Sequence, residues 1–371
     1  MKITCQQTDL AEGVKIVSKA VPTRTSRAIL ECILIDASSG EIKLTANDME
    51  LGIETIIEGN ILERGIIALD AKKFAEIVNK LPKNEITIET DSSFKTTITC
   101  EKAKFDIIGK SGEDFSYIPN PNRNQPVVIS QFTLRDIISK TIFSVADNEN
   151  NKMMTGELLE IKDNKLKVVA LDGHRVSIRN VELKNPTSDV KVVVPKKTLN
   201  EIIKIISGGL EDEVNIFVSD NHIIFEFNRT TVVSRIIAGE YFKIEQMLSA
   251  DYETKIKINK RDFYDCIDRA NILVSEGDKK PIIVNTTDNV MSLSISSFVG
   301  SMNETIDITK EGKDIMIGFN PKFVMDALRA IDDEEINLYM LNAKSPCFIK
   351  ADDGSYIYIV LPVNFSNPGA N

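Results

Sequence analysis

The 371-residue chain has no tryptophan, only two histidines (His174 and His222), and five cysteines that never fall into a Cys-x-x-Cys pair. Two histidines leave little material for an imidazole-based catalytic centre. An odd number of scattered cysteines (Cys5, Cys32, Cys100, Cys266, Cys347) argues against a disulfide framework and against a zinc site, and fits reduced, buried thiols in a cytoplasmic protein. No run approaches the roughly 18 apolar residues of a membrane span. The opening segment MKITCQQTDLAEGVKIV lacks the apolar core of a secretory signal, so none is expected.

What is present is an ordinary globular composition, 42% apolar and 27% charged, with a formal net charge of −10. That composition excludes disorder as the bulk state. The length exceeds what one core supports, since single domains stop growing near about 250 residues. An acidic total speaks against a protein that grips nucleic acid over its whole surface, but leaves room for one basic face.

The chain repeats itself three times at a spacing of about 124 residues. A strand-then-helix segment reads IIALDAKKFAEIVNKL from Ile66, VVVPKKTLNEIIKII from Val192 and IGFNPKFVMDALRAI from Ile317. Its lysines, Lys72, Lys197 and Lys322, are 125 residues apart, and each is followed four residues later by an acid. An amphipathic helix opens each third, with Leu10, Val14 and Val17 echoed by Leu134, Ile138 and Ile142, then by Phe263, Ile267 and Val274. KLTANDMELGI from Lys43 matches KVVALDGHRVSI from Lys167, and Gly112–Phe115 matches Gly239–Phe242. Between the helices lie β-branched runs punctuated by Asp-Asn and Ser-Gly turns, which predict hairpins. Each third therefore reads as two helices and two small antiparallel sheets, an α+β class, with boundaries giving domains 1–122, 123–252 and 253–371.

Catalytic signatures are missing. Gly109-Lys110-Ser111 resembles the end of a phosphate-binding loop, but Lys104 stands where its first glycine is required, and there is no HExxH, GxSxG or EF-hand loop. The run Asp332–Glu335 lacks His or Asn ligands and reads as a solvated turn. His174, in Leu171-Asp172-Gly173-His174-Arg175, is either part of a tight hairpin turn or a side chain that the loop presents to a ligand. Six helices are predicted, at 8–21, 70–83, 131–145, 194–206, 259–274 and 320–331. They carry a net charge of +6 and the remainder −16. Either lysines simply suit helix surfaces, or one positive face is directed at a polyanion.

The threefold repeat, the LDGHR loop and the C-terminal YIYIVLPVNF together resemble the bacterial sliding-clamp family, the β subunits of DNA polymerase III, from Met1 to about Phe365. The resemblance implies three similar domains per chain, two chains closing head to tail into a ring, helices lining the hole and sheets outside. Twelve-residue helices span about 18 Å, comparable with duplex DNA, and weak dispersed lysine contacts permit sliding. It implies a non-catalytic processivity factor without cofactor or metal, whose partners are double-stranded DNA, a second copy of itself, the DNA polymerase III catalytic subunit, the clamp loader and other clamp-motif proteins, with no membrane. The implied DNA contacts are Arg24, Lys72, Asn148, Lys152 and Met153, with Lys197 and Lys204 added by repeat symmetry. The implied peptide pocket comprises Met154, Leu171, Gly173, His174, Arg175, Val176, Phe242, Gln246, Met247, Asn320, Phe323, Pro346, Ile359, Val360, Leu361, Pro362, Val363 and Phe365. Phe242 and Gln246 stand where the family usually has proline and arginine. Phe105 and Ile107 would meet Ile272 and Leu273 at the dimer interface, with Lys102 and Lys104 pairing with Glu304. Ser366–Asn371 extends beyond the resemblance. Two rival readings are a metal-dependent nucleic-acid enzyme, which needs clustered ligands, and a monomeric three-repeat scaffold that binds peptides without encircling DNA.

Overall fold

The computed structural model describes residues 1–116, 118–123, 125–147, 151–184, 189–248, 251–274 and 280–365. These hold six α-helices: α1 (Gln7–Val17), α2 (Ala71–Lys80), α3 (Gln131–Ser139), α4 (Lys196–Ile205), α5 (Lys260–Asn271) and α6 (Pro321–Arg329). Helices α2, α4 and α6 start at residues 71, 196 and 321, so the lysine repeat marks the first turn of each. The ends are set locally. The carboxylate of Asp70 accepts from Lys73 N at 2.8 Å, and the Asn259 side chain accepts from Arg261 N and Asp262 N at 2.9 and 3.1 Å. Asn320 accepts from Lys322 N at 3.0 Å, with Pro321 preformed at the first helical position.

Every helix is shorter than its predicted span. Helix α1 gives way to a 3-10 turn, Ser18–Ala20, ahead of Pro22, and the Ser18 hydroxyl donates back to Val14 O at 2.6 Å. Helix α2 stops before Leu81-Pro82 because a residue preceding proline disfavours helical dihedrals. After α3 the Thr141 hydroxyl turns back on Ile137 O at 2.9 Å, and the chain continues as a 3-10 turn. The shortened helices carry thirteen basic against nine acidic side chains, a net of +4 rather than +6.

The chain divides into two compact units, residues 1–133 with 197–236 and residues 134–196 with 237–371. In the first, a five-stranded antiparallel sheet runs in the order Asn60–Glu63, Lys2–Gln6, Glu85–Thr90, Lys95–Cys100, Ala103–Ile108. Beside it lies a nine-stranded sheet in which Leu51–Ile57 from the first repeat pairs with Thr230–Arg235 from the second, Ser234 opposite Leu51. Helix α1 lies on strands Ile42–Asn47 and Leu51–Ile57 and beside α2. A Cβ on Gly13 would come within 2.7 Å of Ile57 and 2.8 Å of Leu44, so the close approach of helix to sheet requires glycine there.

The second unit has a nine-stranded sheet joined the same way. Arg175–Glu182 from the second repeat pairs with Tyr356–Val360 from the third, Arg175 opposite Val360. Its four-stranded sheet runs Ser301–Asp307, Val290–Ser296, Ile282–Thr287, Met316–Phe319. Helices α5 and α6 pack side by side on a core that includes Phe263, Ile267, Leu293, Ile317, Leu328 and Tyr358. Each third thus contributes to two antiparallel sheets, as expected, and the sheets at the repeat boundaries are joined. Strands at the repeat boundaries satisfy their edges by pairing with the neighbouring repeat, and the middle repeat divides its strands between the two large sheets.

Candidate functional site

The hairpin between Lys165–Leu171 and Arg175–Glu182 organises the site. The Asp172 carboxylate accepts from His174 N at 3.0 Å and Arg175 N at 3.1 Å, while Gly173 takes the left-handed φ of +86° that the tight turn demands. His174 is exposed, and its ring stacks on Phe323 from α6 at 6.0 Å between centroids and 20° between planes. The LDGHR segment is thus the tight turn its Asp-Gly predicts, and the turn leaves the imidazole exposed.

Arg175 does something else. It is buried, and its guanidinium donates to Asp172 Oδ2 (2.9 Å), Asp326 Oδ2 (2.7 Å) and Phe143 O (2.6 Å), with its carbon 4.4 Å from the Phe323 ring centroid. Three charge-assisted bonds engage every nitrogen of the guanidinium. Arg175 is a strut that fixes the hairpin to α6, and its guanidinium is not left free for a ligand.

The C-terminal segment completes the groove. Leu361 N donates to His174 O at 2.9 Å and Val363 N to Gly318 O at 2.8 Å. Phe365 lies against Gly318, where a Cβ would come within 2.7 Å of its ring. Met153, Met154, Phe242 and Leu361 pack partly buried on a cluster containing Leu171, Val176, Tyr241, Ile244, Tyr339, Phe348 and Ile359. Leu171, Val176 and Ile359 are buried and form the floor. Val360 is a correction: strand alternation turns it to the opposite core, with Phe263 and Leu328, and its backbone is paired between Arg175 and Cys347. Gln246 and Met247 are exposed on the short turn Ile244–Met247, and Asn320, Pro346 and Pro362 are half-buried. Asn320 spends its side-chain oxygen capping α6.

Among the implied DNA contacts, Arg24, Lys72 and Lys152 are exposed. Asn148 lies outside the described residues. Met153 is corrected: it packs on the groove cluster, and its methyl group would meet a Cβ on Gly239 at 2.8 Å, as an apolar thioether prefers. Lys197 is ion-paired with Asp48, and Lys204 donates to Glu201 at 2.9 Å.

Three sequence models of the DNA polymerase III beta subunit match the chain: the N-terminal domain over residues 1–119, the central domain over 128–243 and the C-terminal domain over 245–364. The beta sliding clamp of Staphylococcus epidermidis (strain ATCC 35984) is 32% identical over 98% of this chain and 99% of its own. That of Staphylococcus aureus (strain Mu50) is 33% identical over 93% and 94%. The chain belongs to the sliding-clamp family of DNA polymerase III beta subunits. Among solved structures, a putative beta subunit from Eubacterium rectale superposes with a TM-score of 0.97 at 69% identity, covering 98% of this chain and 100% of that one. The sliding clamp of Bacillus subtilis gives 0.95 at 30% identity, covering 99% and 100%.

The residues expected at a dimer contact fall on an edge strand of the first unit and just past α5 in the second. Phe105 is 39% exposed on the edge strand Ala103–Ile108, Ile107 is half-buried, and the neighbouring Ile108, missed in the sequence, is 73% exposed. In the second unit, Ile272 is 80% exposed just past α5, whereas Leu273 packs partly on the core. Glu304, expected to meet Lys102 and Lys104, is held by both nitrogens of an Arg269 fork in its own chain. Phe298 and Val299, at the tip of a turn in the same clamp unit, are 84% and 61% exposed and were also missed. Their only signal was two bulky apolar residues between Ser297 and Gly300.

One buried group had no signal. Glu157 sits at 0% exposure in strand Gly156–Lys162, and neither carboxylate oxygen has a hydrogen-bond partner among the described residues. Burial pushes its carboxyl up to about 8, with the Thr141 hydroxyl and the Lys196 ammonium opposing the rise. Among the described residues there is no cluster of His, Cys, Asp or Glu that could hold a metal, and no helix long and apolar enough to cross a membrane.

Proposed function

We propose that this non-catalytic DNA polymerase III processivity clamp works as two copies closed head to tail around duplex DNA, with domains 1–122, 123–252 and 253–371. Among the described residues the edge strands Ala103–Ile108 and Ser301–Asp307 have no second neighbour in their sheets, and they carry the exposed Phe105 and Ile108 on one and Glu304, paired with Arg269, on the other. An unpaired strand edge with apolar side chains is a template for another chain. Arg24, Lys72 and Lys152 are the exposed cations that would touch phosphate, weakly enough for sliding.

Tethering is carried by one observation, the apolar shelf of Met154, Phe242 and Leu361 beside the exposed His174–Phe323 stack. A few rigid apolar anchors with convergent polar groups suit a short peptide from a polymerase subunit, a clamp loader or another partner. The monomeric-scaffold reading is not favoured, because the chain shares its full length with sliding clamps. A cytoplasmic location accompanies this reading.

The test is retention. With a loader and ATP, the protein should stay on nicked circular DNA and leave when the circle is linearised, and its solution mass should be about twice 41.4 kDa. Equal loss from circle and linear DNA overturns the ring.

A further inference from the structure

The floor of the groove continues across the sheet beyond the groove itself. Cross-strand pairing sets Leu171 opposite Val176, Val176 opposite Ile359, Ile359 opposite Phe348, Phe348 opposite Tyr339 and Tyr339 opposite Lys255. Side chains in one such row stand on the same face of the sheet. Leu171, Val176, Ile359, Phe348 and Tyr339 all belong to the cluster on which Met154, Phe242 and Leu361 pack. Their strand neighbours Val360, Leu338 and Ile256 fall in the core on the other face, with α5 and α6. The row is one transverse track, apolar at the groove and cationic at its far end.

Two lysines are held on one ring at that end. The Lys350 ammonium stands 4.3 Å and the Lys255 ammonium 5.6 Å from the Tyr339 ring centroid, and Tyr252 meets the same ring edge-on at 5.1 Å. Tyr339 is buried, Tyr252 is exposed and both lysines are half-buried. Resting on an aromatic face positions a lysine stem before any ligand arrives. Neither ammonium has a hydrogen-bond or ion-pair partner among the described residues, whereas Lys257, two residues along the strand, is paired with Glu335 at 2.5 Å. The Asp352 carboxylate is engaged at the other end of the ring, accepting from the Tyr339 hydroxyl at 3.5 Å.

We propose that the lysine end of this row extends the peptide groove and receives carboxylates in the flank of the same partner peptide whose apolar residues seat on Leu171, Val176 and Ile359. The proposal rests on the groove being a peptide site and deepens that reading by naming the chemistry of the flank. Continuity of the row selects the occupant, and two unpaired cations select its charge. Three strand spacings separate Ile359 from Lys255, about 14 Å, and an extended chain rises about 3.3 Å per residue. The acids therefore belong about four residues beyond the apolar anchor. Place argues against duplex DNA as the occupant, because the row lies on the sheet face turned away from α5 and α6, whereas the clamp reading puts the helices on the DNA side.

The probe is a fluorescein-labelled peptide with Leu-Ser-Leu-Phe at its centre, bounded on each side by Gly-Ser-Gly and then Asp-Glu-Asp. Its neutral twin carries Asn-Gln-Asn in place of the acids, and both are titrated by anisotropy against the full-length protein. At low salt the acidic peptide should bind about three- to tenfold more tightly than the twin, the range of a pair of partly exposed ion pairs. That advantage should vanish near 1 M salt, where the screening length is about 3 Å. Lys255→Gln combined with Lys350→Gln should remove the advantage while the twin binds as it does the parent, which also shows that the variant is folded. Lys280→Gln, at an exposed lysine ahead of the four-stranded sheet, should alter neither peptide. If the twin binds and the acids add nothing, or if the double variant keeps the advantage, the proposal falls and the groove reading stands. It falls too if the double variant weakens the twin as much as the acidic peptide. If neither peptide binds the parent, the groove reading fails and the extension falls with it. A duplex oligonucleotide that loses affinity for the double variant while the acidic peptide does not would make the lysines a DNA contact and likewise overturn it.

Discussion

Replacing Glu157 with glutamine should make the protein more stable at alkaline pH and change little in acid. An unfolded glutamate ionises near its ordinary value of 4.5, whereas the buried Glu157 carboxyl is pushed up to about 8. Between those values folding takes up a proton, so the contribution to stability is full below 4.5 and is lost as pH rises through 8. At about 1.4 kcal/mol for each pH unit of that gap, the loss reaches about 5 kcal/mol above pH 9. The neighbours limit it. Lys196 is the cation that favours the charged form, but its amine donates to Asp147 at 2.6 Å and Val145 O at 3.2 Å, and the Thr141 hydroxyl is bonded to Ile137 O. Tyr241 feels the reverse effect, its phenol raised by burial first and by the Glu157 charge second. Calorimetric melts of parent and Glu157→Gln at pH 5, 7 and 9 should coincide within about 1 kcal/mol at pH 5 and diverge by several at pH 9. Infrared titration of the carboxylic acid carbonyl would locate the pKa independently. Parallel melting curves across this range, or a carboxyl ionised at pH 6, would refute the reasoning.

Two further outcomes follow from the groove. Asp326→Ala leaves the buried Arg175 guanidinium without one of its two carboxylates and should lower stability by about 3–5 kcal/mol, read as a lower urea midpoint for the second unit; a change below about 1 kcal/mol would show that Arg175 is not the strut described. Gly318→Ala places a methyl group 2.7 Å from the Phe365 ring and 2.8 Å from Val363 O, so it should displace Leu361–Phe365 and weaken partner-peptide binding by about tenfold, roughly the share of one interface anchor, with the dimer mass unchanged. Unaltered anisotropy of a Leu/Phe-containing peptide would remove that segment from the site.

The fold was legible where periodicity and turn chemistry agree. The lysine spacing located the starts of α2, α4 and α6 because Asp70 and Asn320 cap where the pattern begins, and the LDGHR turn announced itself through Asp-Gly. Helix ends were misread because Ser18, Leu81-Pro82 and Thr141 end helices through side-chain bonding or proline sterics, which an apolar stripe does not record. Sheet joining was invisible because which repeat an edge strand pairs with depends on distant chain. In the candidate site, residue types did not disclose what each side chain does. Arg175 and Val360 share one cross-strand pair, yet one is a buried strut and the other a core residue. Glu157 was missed because its strand reads Glu-Leu-Leu-Glu, and a glutamate beside leucines in a strand is normally the one that faces water.

Repetition explains why the groove turn and its counterpart in the first unit, Asp48-Met49-Glu50-Leu51, are informative together. A common turn, a common donor from the joining strand and a common lysine at the helix start fix the backbone of both. Side chains other than the turn aspartates were then free to diverge, because these bonds run only through backbone groups and the Asp48 and Asp172 carboxylates. At the groove the divergence gave Phe323 and Leu361, and the hairpin was anchored by turning Arg175 inward onto Asp172 and Asp326. At the counterpart the residue in Arg175's place is Leu51, which is buried, so no strut guanidinium is needed and Asp48 is left to hold Lys197 instead. The chemistry of each turn is therefore decided by how it is fastened to the core.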